Sequence, residues 1–396
     1  MTPGEVGQAR ADTPGIGCSI HFNSAGSSLP TRMSVDAMID HLRLESEIGG
    51  YEAHARMRAE VDRPYAALAE LLNASPDEIA LTQNATRSWD LAFYSLPLKR
   101  GDRIVTGRAE YCGNFIGLLH RARREGIEID VVPDTETGEI SVEHLERMLT
   151  DRTRLIALTH TPTSGGLVNP AAEVGAVARR AGIPFLLDAC QTVGQMVIDV
   201  EAIGCDMLSA TARKFLRGPR GVGFLYVRRE MIERLDPAIL DDHAADWIAD
   251  DAFEIRNDAR RMETRECNFA GRIGFGVALD YALGISIEKI QARVAVLADE
   301  LRGRLESMPG VIVHDRGSVK CAIVTFSVAG QAAEAVKAEL ARRRISVTVS
   351  HAEATRLDMC ARGLDEIVRA SVHYYNTIEE IEQLTEAIAQ IRKEAA

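Results

Sequence analysis

The chain has 396 residues, of which 46% are apolar and 26% are charged, and its formal net charge at pH 7 is -12. This length and composition predict a globular protein with a large buried core and more than one domain. The acidic balance disfavours nucleic acid and anionic membrane surfaces as partners, because both select for a basic face.

The chain has seven cysteines, an odd number, and they are scattered along the sequence without a CxxC pair. This pattern predicts neither a disulfide framework nor a zinc site, so we expect no bound metal. The N-terminus lacks the shape of a signal peptide, and no run of about 18 apolar residues occurs. We therefore expect a cytoplasmic protein with no membrane span.

The first half of the chain changes from irregular to strongly patterned. The first twenty residues are rich in Gly, Pro, Ala and Thr and predict a loose arm, whereas residues 33–72 have helical spacing. Short apolar runs then alternate with helical segments, which predicts a mostly parallel sheet covered by helices on both faces. The runs cover residues 103–107, 129–134, 154–160, 184–189, 206–211 and 223–227.

The pattern changes again after about residue 270. A long helical stretch over 276–307 is followed by apolar runs that predict a smaller α/β unit. A last helix is predicted to begin at Thr377, because Glu380 stands three residues later in the spacing of a capping box. We expect an N-terminal arm over residues 1–30, a large domain over 31–270 and a small C-terminal domain over 271–396.

Two residues in the large domain carry recognisable chemistry together. Asp188 ends the apolar segment FLLD, and ligands of open α/β sheets bind beyond such strand ends. Lys214 lies between two apolar strands, with Arg213 beside it. Alone, Asp188 is an ordinary helix cap and Lys214 an ordinary surface charge. A pyridoxal-phosphate (PLP) enzyme needs both types, a lysine for the Schiff base and an acid against the pyridinium nitrogen.

The segments DACQTVGQ and ARKFLRGPRGVGFLYV, with twenty-six residues from Asp188 to Lys214, resemble the class V aminotransferase or cysteine-desulfurase-like PLP enzymes. The resemblance runs from about residue 21 to residue 377. It implies a PLP-dependent transferase of fold type I, an α/β protein whose large domain has a mostly parallel sheet between helices. It also implies a smaller C-terminal α/β domain, an arm packed on that domain, and a homodimer.

The same resemblance implies the cofactor contacts. Lys214 would carry PLP and move the substrate Cα proton, Asp188 would pair with the ring nitrogen, and Gln191 would bond the phenolic oxygen. Tyr111 stands where the family keeps a histidine stacked over the ring, and its hydroxyl could donate a proton. The remaining expected cofactor contacts, most of them with the phosphate, are Ala85, Thr86, Thr163, Thr211 and Arg213.

The substrate is expected to be a small amino acid. The resemblance implies that Arg369 grips its α-carboxylate, and a bidentate guanidinium suits that task. The other expected substrate contacts lie near the N-terminus and are Ser24, Ala25, Gly26 and Tyr51.

Two positions depart from the family pattern. Where cysteine desulfurases keep their nucleophilic cysteine, this chain has Glu353, and Cys360 follows seven residues later. This difference argues against a true cysteine desulfurase. In the segment 262–271, Glu266 replaces a threonine that often reaches the partner's phosphate, and we expect Glu266 to be a structural ion-pair partner.

Loss of the Cα proton allows β-elimination, transamination or racemisation, and the residues around Lys214 do not decide among them. The segments LTHTPTSGGLVNP and ARKFLRGPRG resemble the branch with hercynylcysteine sulfoxide lyase and isopenicillin-N-epimerase-like proteins. Our first hypothesis is therefore a C–S β-lyase acting on a cysteine conjugate or its sulfoxide. The second is an amino-acid epimerase or aminotransferase, and the third is a non-catalytic binding protein with a PLP fold.

Overall fold

The computed structural model describes residues 1–394 of the chain. Its helices are α1 (Pro3–Ala11), α2 (Arg32–Ile48), α3 (Gly50–Arg56), α4 (Arg58–Leu72), α5 (Ala85–Tyr94), α6 (Cys112–Glu125), α7 (Val142–Met148), α8 (Ala171–Ala181), α9 (Val200–Ile203), α10 (Arg229–Ile232), α11 (Phe269–Ile285), α12 (Ile287–Glu306), α13 (Ala333–Arg342), α14 (Arg356–Ala361) and α15 (Ile378–Glu394).

The strands are β1 (Ile20–His21), β2 (Ile79–Thr82), β3 (Arg103–Thr106), β4 (Glu128–Val131), β5 (Thr153–Thr159), β6 (Phe185–Asp188), β7 (Met207–Thr211), β8 (Gly223–Val227), β9 (Ala245–Ala249), β10 (Ala252–Ile255), β11 (Val311–Val313), β12 (Ile323–Val328), β13 (Ile345–Ser346), β14 (Thr348–His351) and β15 (Glu366–Ser371).

The large sheet has the strand order β2-β8-β7-β6-β5-β3-β4. Its strands from β7 to β4 are parallel, and β8 runs antiparallel to both of its neighbours. The six apolar runs predicted from the sequence form strands β3 to β8, so the mostly parallel sheet is confirmed.

Helices cover this sheet on both faces, because side chains on a strand alternate between the two faces. Leu187 and Ile156 pack into one core together with residues of α4, α8 and α11. Their neighbours Leu186 and Leu155 pack into the opposite core with residues of α5 and α6. Burial on both faces explains why these strands are nearly continuous apolar runs.

The N-terminal residues are more ordered than predicted. The expectation of a loose arm is wrong for residues 3–11, which form α1 with a capping box between Thr2 and Glu5. β1 then pairs in parallel with β13, and Arg10 forms an ion pair with Glu380 at 2.8 Å. These contacts attach the N-terminal segment to the C-terminal part of the chain.

The two long helical predictions are each divided by a turn. Residues 33–72 form α2, α3 and α4, with a break at Gly49, where φ is 97°. The stretch 276–307 belongs to α11 and α12, which are separated at Ser286, where φ is 83°. Because α11 packs against α2 and α4, the change in packing falls near Ser286. The domain boundaries themselves remain a prediction.

The C-terminal unit contains an antiparallel sheet with the order β11-β12-β15-β14. The predicted capping box is present, since the backbone N–H groups of Thr377 and Glu380 donate to each other's side chains. No helix within residues 1–394 has both the length and the apolar character needed to cross a bilayer. The same residues contain no group of three or more His, Cys, Asp or Glu side chains placed to hold a metal ion.

Candidate active site

A cavity of about 560 Å³ lies at the carboxyl ends of β5, β6 and β7. Parallel strands and the helix N-termini that follow them place polar groups at this edge, which is where open α/β sheets bind ligands. The predicted residues that line the cavity are Ala85, Thr86, Tyr111, Thr163, Asp188, Gln191, Thr211, Arg213 and Lys214.

Asp188 is the last residue of β6, and its carboxylate is fixed from two sides. Its Oδ1 accepts a hydrogen bond from the backbone N–H of Cys190 at 2.8 Å, and its Oδ2 accepts one from Nδ2 of Asn114 at 2.8 Å. Burial raises the pKa of Asp188, while these two donors and the charge of Lys214 oppose that rise.

Lys214 follows β7 in the turn before β8, and its side chain reaches the same cavity. Its Nζ lies 3.2 Å from Sγ of Cys190. Burial raises the pKa of the Cys190 thiol, so this sulfur is held mainly in its neutral form.

The N-terminus of α5 forms another wall of the cavity. Asn84 caps this helix by accepting a hydrogen bond from the backbone N–H of Arg87 at 2.9 Å. Ala85 and Thr86 are the first residues of the helix, where backbone N–H groups have no intrahelical acceptor and attract anions. Gly223 of β8 allows this approach, because a Cβ atom there would lie 2.5 Å from the carbonyl carbon of Asn84.

Thr211 and Arg213 are both turned partly toward protein acceptors. Oγ1 of Thr211 donates to the carbonyl oxygen of Val222 at 3.2 Å, and Nη1 of Arg213 donates to the carbonyl oxygen of Gly26. Both residues still line the cavity. The guanidinium of Arg213 adds a positive charge to the cavity, whereas the single hydroxyl hydrogen of Thr211 is directed to the carbonyl of Val222.

Gln191 and Thr163 line another part of the cavity, and Thr163 connects them to Arg369, which is not itself a lining residue. Nε2 of Gln191 donates to Oγ1 of Thr163 at 3.1 Å, and Nη1 of Arg369 donates to the carbonyl oxygen of Thr163 at 3.0 Å. Burial and the neighbouring charge of Arg213 lower the pKa of Arg369 to about 10, which leaves it a cation at neutral pH. Oε1 of Gln191 and Nε of Arg369 have no hydrogen-bond partner among the described residues.

The predicted N-terminal contacts do not reach the cavity as expected. The backbone N–H groups of Ser24 and Gly26 donate to protein carbonyls, and that of Ala25 donates to Oγ of Ser371 at 2.9 Å. They are therefore not free for a substrate carboxylate, although the carbonyl of Ala25 accepts from Gln191 at 3.1 Å. Tyr51 lies on α3 with 75% of its surface exposed, so within this chain it is not a wall of the site.

Tyr111 is the N-cap residue of α6 and lines the cavity. Burial, followed by the neighbouring thiols of Cys112 and Cys190, raises the pKa of its phenol. The hydroxyl therefore remains a proton donor throughout the neutral range.

Asn114, Cys190 and Arg220 also line the cavity, although the sequence did not predict them as site residues. Asn114 is three residues after Tyr111 on the first turn of α6, so both side chains lie on one helix face. A prediction of where α6 begins would have found it.

Three other residues named from the sequence lie outside the cavity. Glu353 and Cys360 do not line it, and Cys360 is exposed on α14. Glu266 forms no ion pair within residues 1–394, and its role as an ion-pair partner stays a prediction. Its neighbour Arg265 pairs instead with Asp242 at 2.8 Å.

The fold matches solved PLP-enzyme structures over nearly its full length. The apo cysteine desulfurase of Thermococcus onnurineus NA1 superposes with a TM-score of 0.92 at 25% identity, covering 100% of this chain and 99% of that chain. The cystine C–S lyase C-DES shares the fold with a TM-score of 0.87 at 24% identity, covering 95% and 99% of the two chains. The molecule therefore has the fold type I architecture predicted from its sequence.

Sequence comparison defines the family. The model of aminotransferase class V matches residues 20–384, and the chain belongs to this family. A probable cysteine desulfurase of Methanothermobacter thermautotrophicus is 29% identical, covering 96% of this chain and 97% of the relative. A probable hercynylcysteine sulfoxide lyase of Mycobacterium tuberculosis strain CDC 1551 is 30% identical, covering 96% and 91%. The protein is thus a PLP-dependent enzyme, which disfavours the non-catalytic hypothesis.

The residues of the cavity fit this cofactor. A buried carboxylate at Asp188 suits a protonated ring nitrogen, and the amine of Lys214 opens into the same space. The first turn of α5 suits a phosphate group. The buried polar atom of Gln191 that lacks a protein partner is also of the type that a bound polar molecule satisfies.

Proposed function

We propose that this enzyme is a C–S β-lyase that acts on an S-conjugate of cysteine or on its sulfoxide. The observation that supports this proposal most directly is the absence of a reactive thiol at the cavity among the described residues. A desulfurase needs a reactive cysteine to accept sulfur, but Cys190 is the only cysteine lining the cavity among residues 1–394. Burial raises the pKa of that thiol, which makes it a poor nucleophile.

The substrate class follows from relatives at comparable identity. One is named a probable cysteine desulfurase and another a probable hercynylcysteine sulfoxide lyase, and both names denote enzymes of cysteine derivatives. We therefore propose a cysteine derivative as substrate. The missing thiolate then favours elimination over sulfur transfer to the protein.

When bound, PLP withdraws electrons from the Cα atom of the attached amino acid. The amine of Lys214 takes up the Cα proton, and the charged carboxylate of Asp188 keeps the ring nitrogen protonated. Arg369 binds the α-carboxylate and so fixes the Cα–H bond for cleavage. The phenol of Tyr111 gives a proton to the departing sulfur, which leaves with the electron pair of the C–S bond. The three-carbon remainder is hydrolysed to pyruvate and ammonia.

Other proposed contacts hold the cofactor in place. The N–H groups of Ala85 and Thr86 bind the phosphate, together with the side chains of Thr211 and Arg213. Gln191 and Thr163 lie near the ring oxygen and the substrate. These roles rest on the positions of the residues around the cavity and on the family pattern.

Product analysis tests the proposal. The holoenzyme is incubated with S-alkyl cysteines and their sulfoxides without a keto acid, and pyruvate is measured. Pyruvate formation that is lost in Lys214→Ala supports the lyase. A strict requirement for a keto acid would instead identify an aminotransferase, and inversion of Cα without pyruvate an epimerase. Release of alanine from free cysteine would identify a desulfurase and overturn the proposal.

We also propose that the active form is a homodimer. Three large apolar side chains, Val35, Ile39 and Leu42, are exposed on α2 and share one helix face by their spacing. A contiguous apolar helix face of this kind is typical of a protein interface. Sedimentation of the wild type and of Leu42→Glu tests this, since a monomeric wild type would contradict it. A cytoplasmic location remains a prediction of the sequence.

A further inference from the structure

One side-chain amide connects two buried carboxyl groups beneath the cavity. Nδ2 of Asn114 donates to Oδ2 of Asp188 at 2.8 Å and to Oε1 of Glu110 at 2.8 Å. The exposed fractions of Asn114, Asp188 and Glu110 are 2%, 6% and 5%. Because the amide has two hydrogens, each carboxyl group receives one of them.

Glu110 is itself surrounded by donors. It accepts from the backbone N–H groups of Tyr111 at 3.1 Å and Thr159 at 3.0 Å, and from Oγ1 of Thr106 at 3.1 Å. Backbone N–H groups only donate, so this environment satisfies an ionised carboxylate, although burial raises the pKa of Glu110. The anion fixes the direction of the Asn114 amide, because a flipped amide would face two acceptors with its oxygen.

The fixed amide of Asn114 orients the Asp188 carboxylate and favours its charged form. The backbone of Cys190 holds one carboxylate oxygen and Asn114 holds the other, which sets the plane of the carboxylate at the end of β6. Donation to a carboxylate also favours its charged form against the cost of burial. The carboxylate must be both charged and oriented in order to hold a proton on a ring nitrogen.

We infer that Asn114 is a positioning residue for the cofactor, holding the Asp188 carboxylate toward the ring nitrogen while Glu110 locks the amide that does so. This inference rests on the proposed pairing of Asp188 with that nitrogen. It does not depend on which reaction follows, because it concerns cofactor binding.

The test compares two forms of the cofactor. PLP has a ring nitrogen, and 1-deaza-PLP has a C–H group at the same place. Dissociation constants of both are measured by absorbance titration of the cofactor-free wild type and of Asn114→Ala. Losing a charge-assisted hydrogen bond to Asp188 is expected to weaken PLP binding about tenfold or more and 1-deaza-PLP binding about twofold or less.

A matched control separates this role from general packing. Asn169 is also buried, and its Nδ2 donates to the carbonyl of Thr159 at 2.8 Å without contacting Asp188. Asn169→Ala is expected to change the binding of the two cofactors by the same factor. An equal effect of Asn114→Ala on both cofactors, or no effect on either, overturns the inference.

A second variant and a comparison within the wild type complete the test. Should Asn114→Ala fail to fold, Asn114→Ser takes its place, because serine keeps one hydroxyl donor at this position. We expect Asn114→Ser to weaken PLP binding more than 1-deaza-PLP binding, but by a smaller factor than Asn114→Ala. Equal binding of PLP and 1-deaza-PLP by the wild type would overturn the pairing of Asp188 with the ring nitrogen, and the inference with it. Failure of the lyase assay would leave this ratio unchanged, so the two failures are distinguishable.

Discussion

Nη1 of Arg369 donates a hydrogen bond to the carbonyl oxygen of Thr163 at 3.0 Å and thereby joins β15 of the C-terminal unit to the loop after β5. The guanidinium is buried, and no carboxylate forms an ion pair with it among the described residues. A buried cation without a protein anion is costly unless a ligand supplies the negative charge. The arrangement therefore supports binding of a carboxylate at this point.

The first prediction concerns this guanidinium. Arg369→Lys keeps a positive charge but loses the two-pronged geometry, so we expect KM for the amino-acid substrate to rise about 10- to 100-fold. The absorbance of the bound cofactor is expected to stay unchanged. Arg293→Lys is a suitable control, because Arg293 donates to the carbonyls of Tyr374 and Asn376 away from the cavity. Equal changes in both variants would contradict the assignment.

The second prediction concerns the amine that carries the cofactor. Lys214→Ala is expected to abolish the visible absorption band of the Schiff base and to reduce turnover by at least about 1000-fold, because the variant loses both covalent attachment and the proton carrier. Lys337→Ala removes a partly exposed lysine on α13 that pairs with Glu334, and should leave both properties unchanged. A retained band in Lys214→Ala would refute the role of this residue.

The third prediction concerns the phenol of Tyr111, which lines the cavity. Tyr111→Phe keeps the ring but loses the hydroxyl, so we expect cofactor affinity to be preserved and kcat to fall about 100-fold. Since burial raises the pKa of Tyr111 above its ordinary value, the phenol keeps its proton through the neutral and mildly alkaline range, and the wild type should not lose activity there through this group. A pH profile of kcat is the measurement. Wild-type rates in Tyr111→Phe would exclude proton donation by this phenol.

The fourth prediction links a buried histidine to acid stability. Burial lowers the pKa of His160 from 6.5 to about 4. The unfolded state therefore binds an extra proton between these values, and stability falls as the pH falls through that window, by about 3 kcal/mol in total. His160→Gln is expected to reduce the difference between urea midpoints measured at about pH 7.5 and about pH 5. An unchanged difference would show that other groups cause the acid sensitivity.

The strands of the large sheet were predictable because burial on both faces leaves a run of apolar residues, as in Phe185–Asp188. The strand Ile79–Thr82 has the same length but was missed, since two of its four residues, Ala80 and Leu81, favour helix over strand. The sequence predicted Asp188 and Lys214 to belong to one site, and both line the same cavity, while their roles stay predictions. Asn114 was missed because its importance lies in one contact with Asp188, a pairing that depends on tertiary structure.

The N-terminal segment shows a second limit of sequence reasoning. Residues 3–11 have little helical periodicity, yet Thr2 and Glu5 cap α1 at its start. The pairing of Ile20 with Ile345 joins positions far apart in the chain, and two-residue strands leave no local pattern. Contacts of this kind depend on a partner that the local sequence does not contain.

The joining of β1 to β13, together with the ion pair of Arg10 with Glu380, has an evolutionary consequence. The segment around Arg10 and β1 packs on the segment that holds β13 and Glu380, so we expect substitutions in the two segments to be coupled. A chimaera that exchanges residues 1–30 alone with a relative should fold less well than one that exchanges both ends. In recombination between relatives, the least disruptive crossovers would be those that inherit both termini from the same parent.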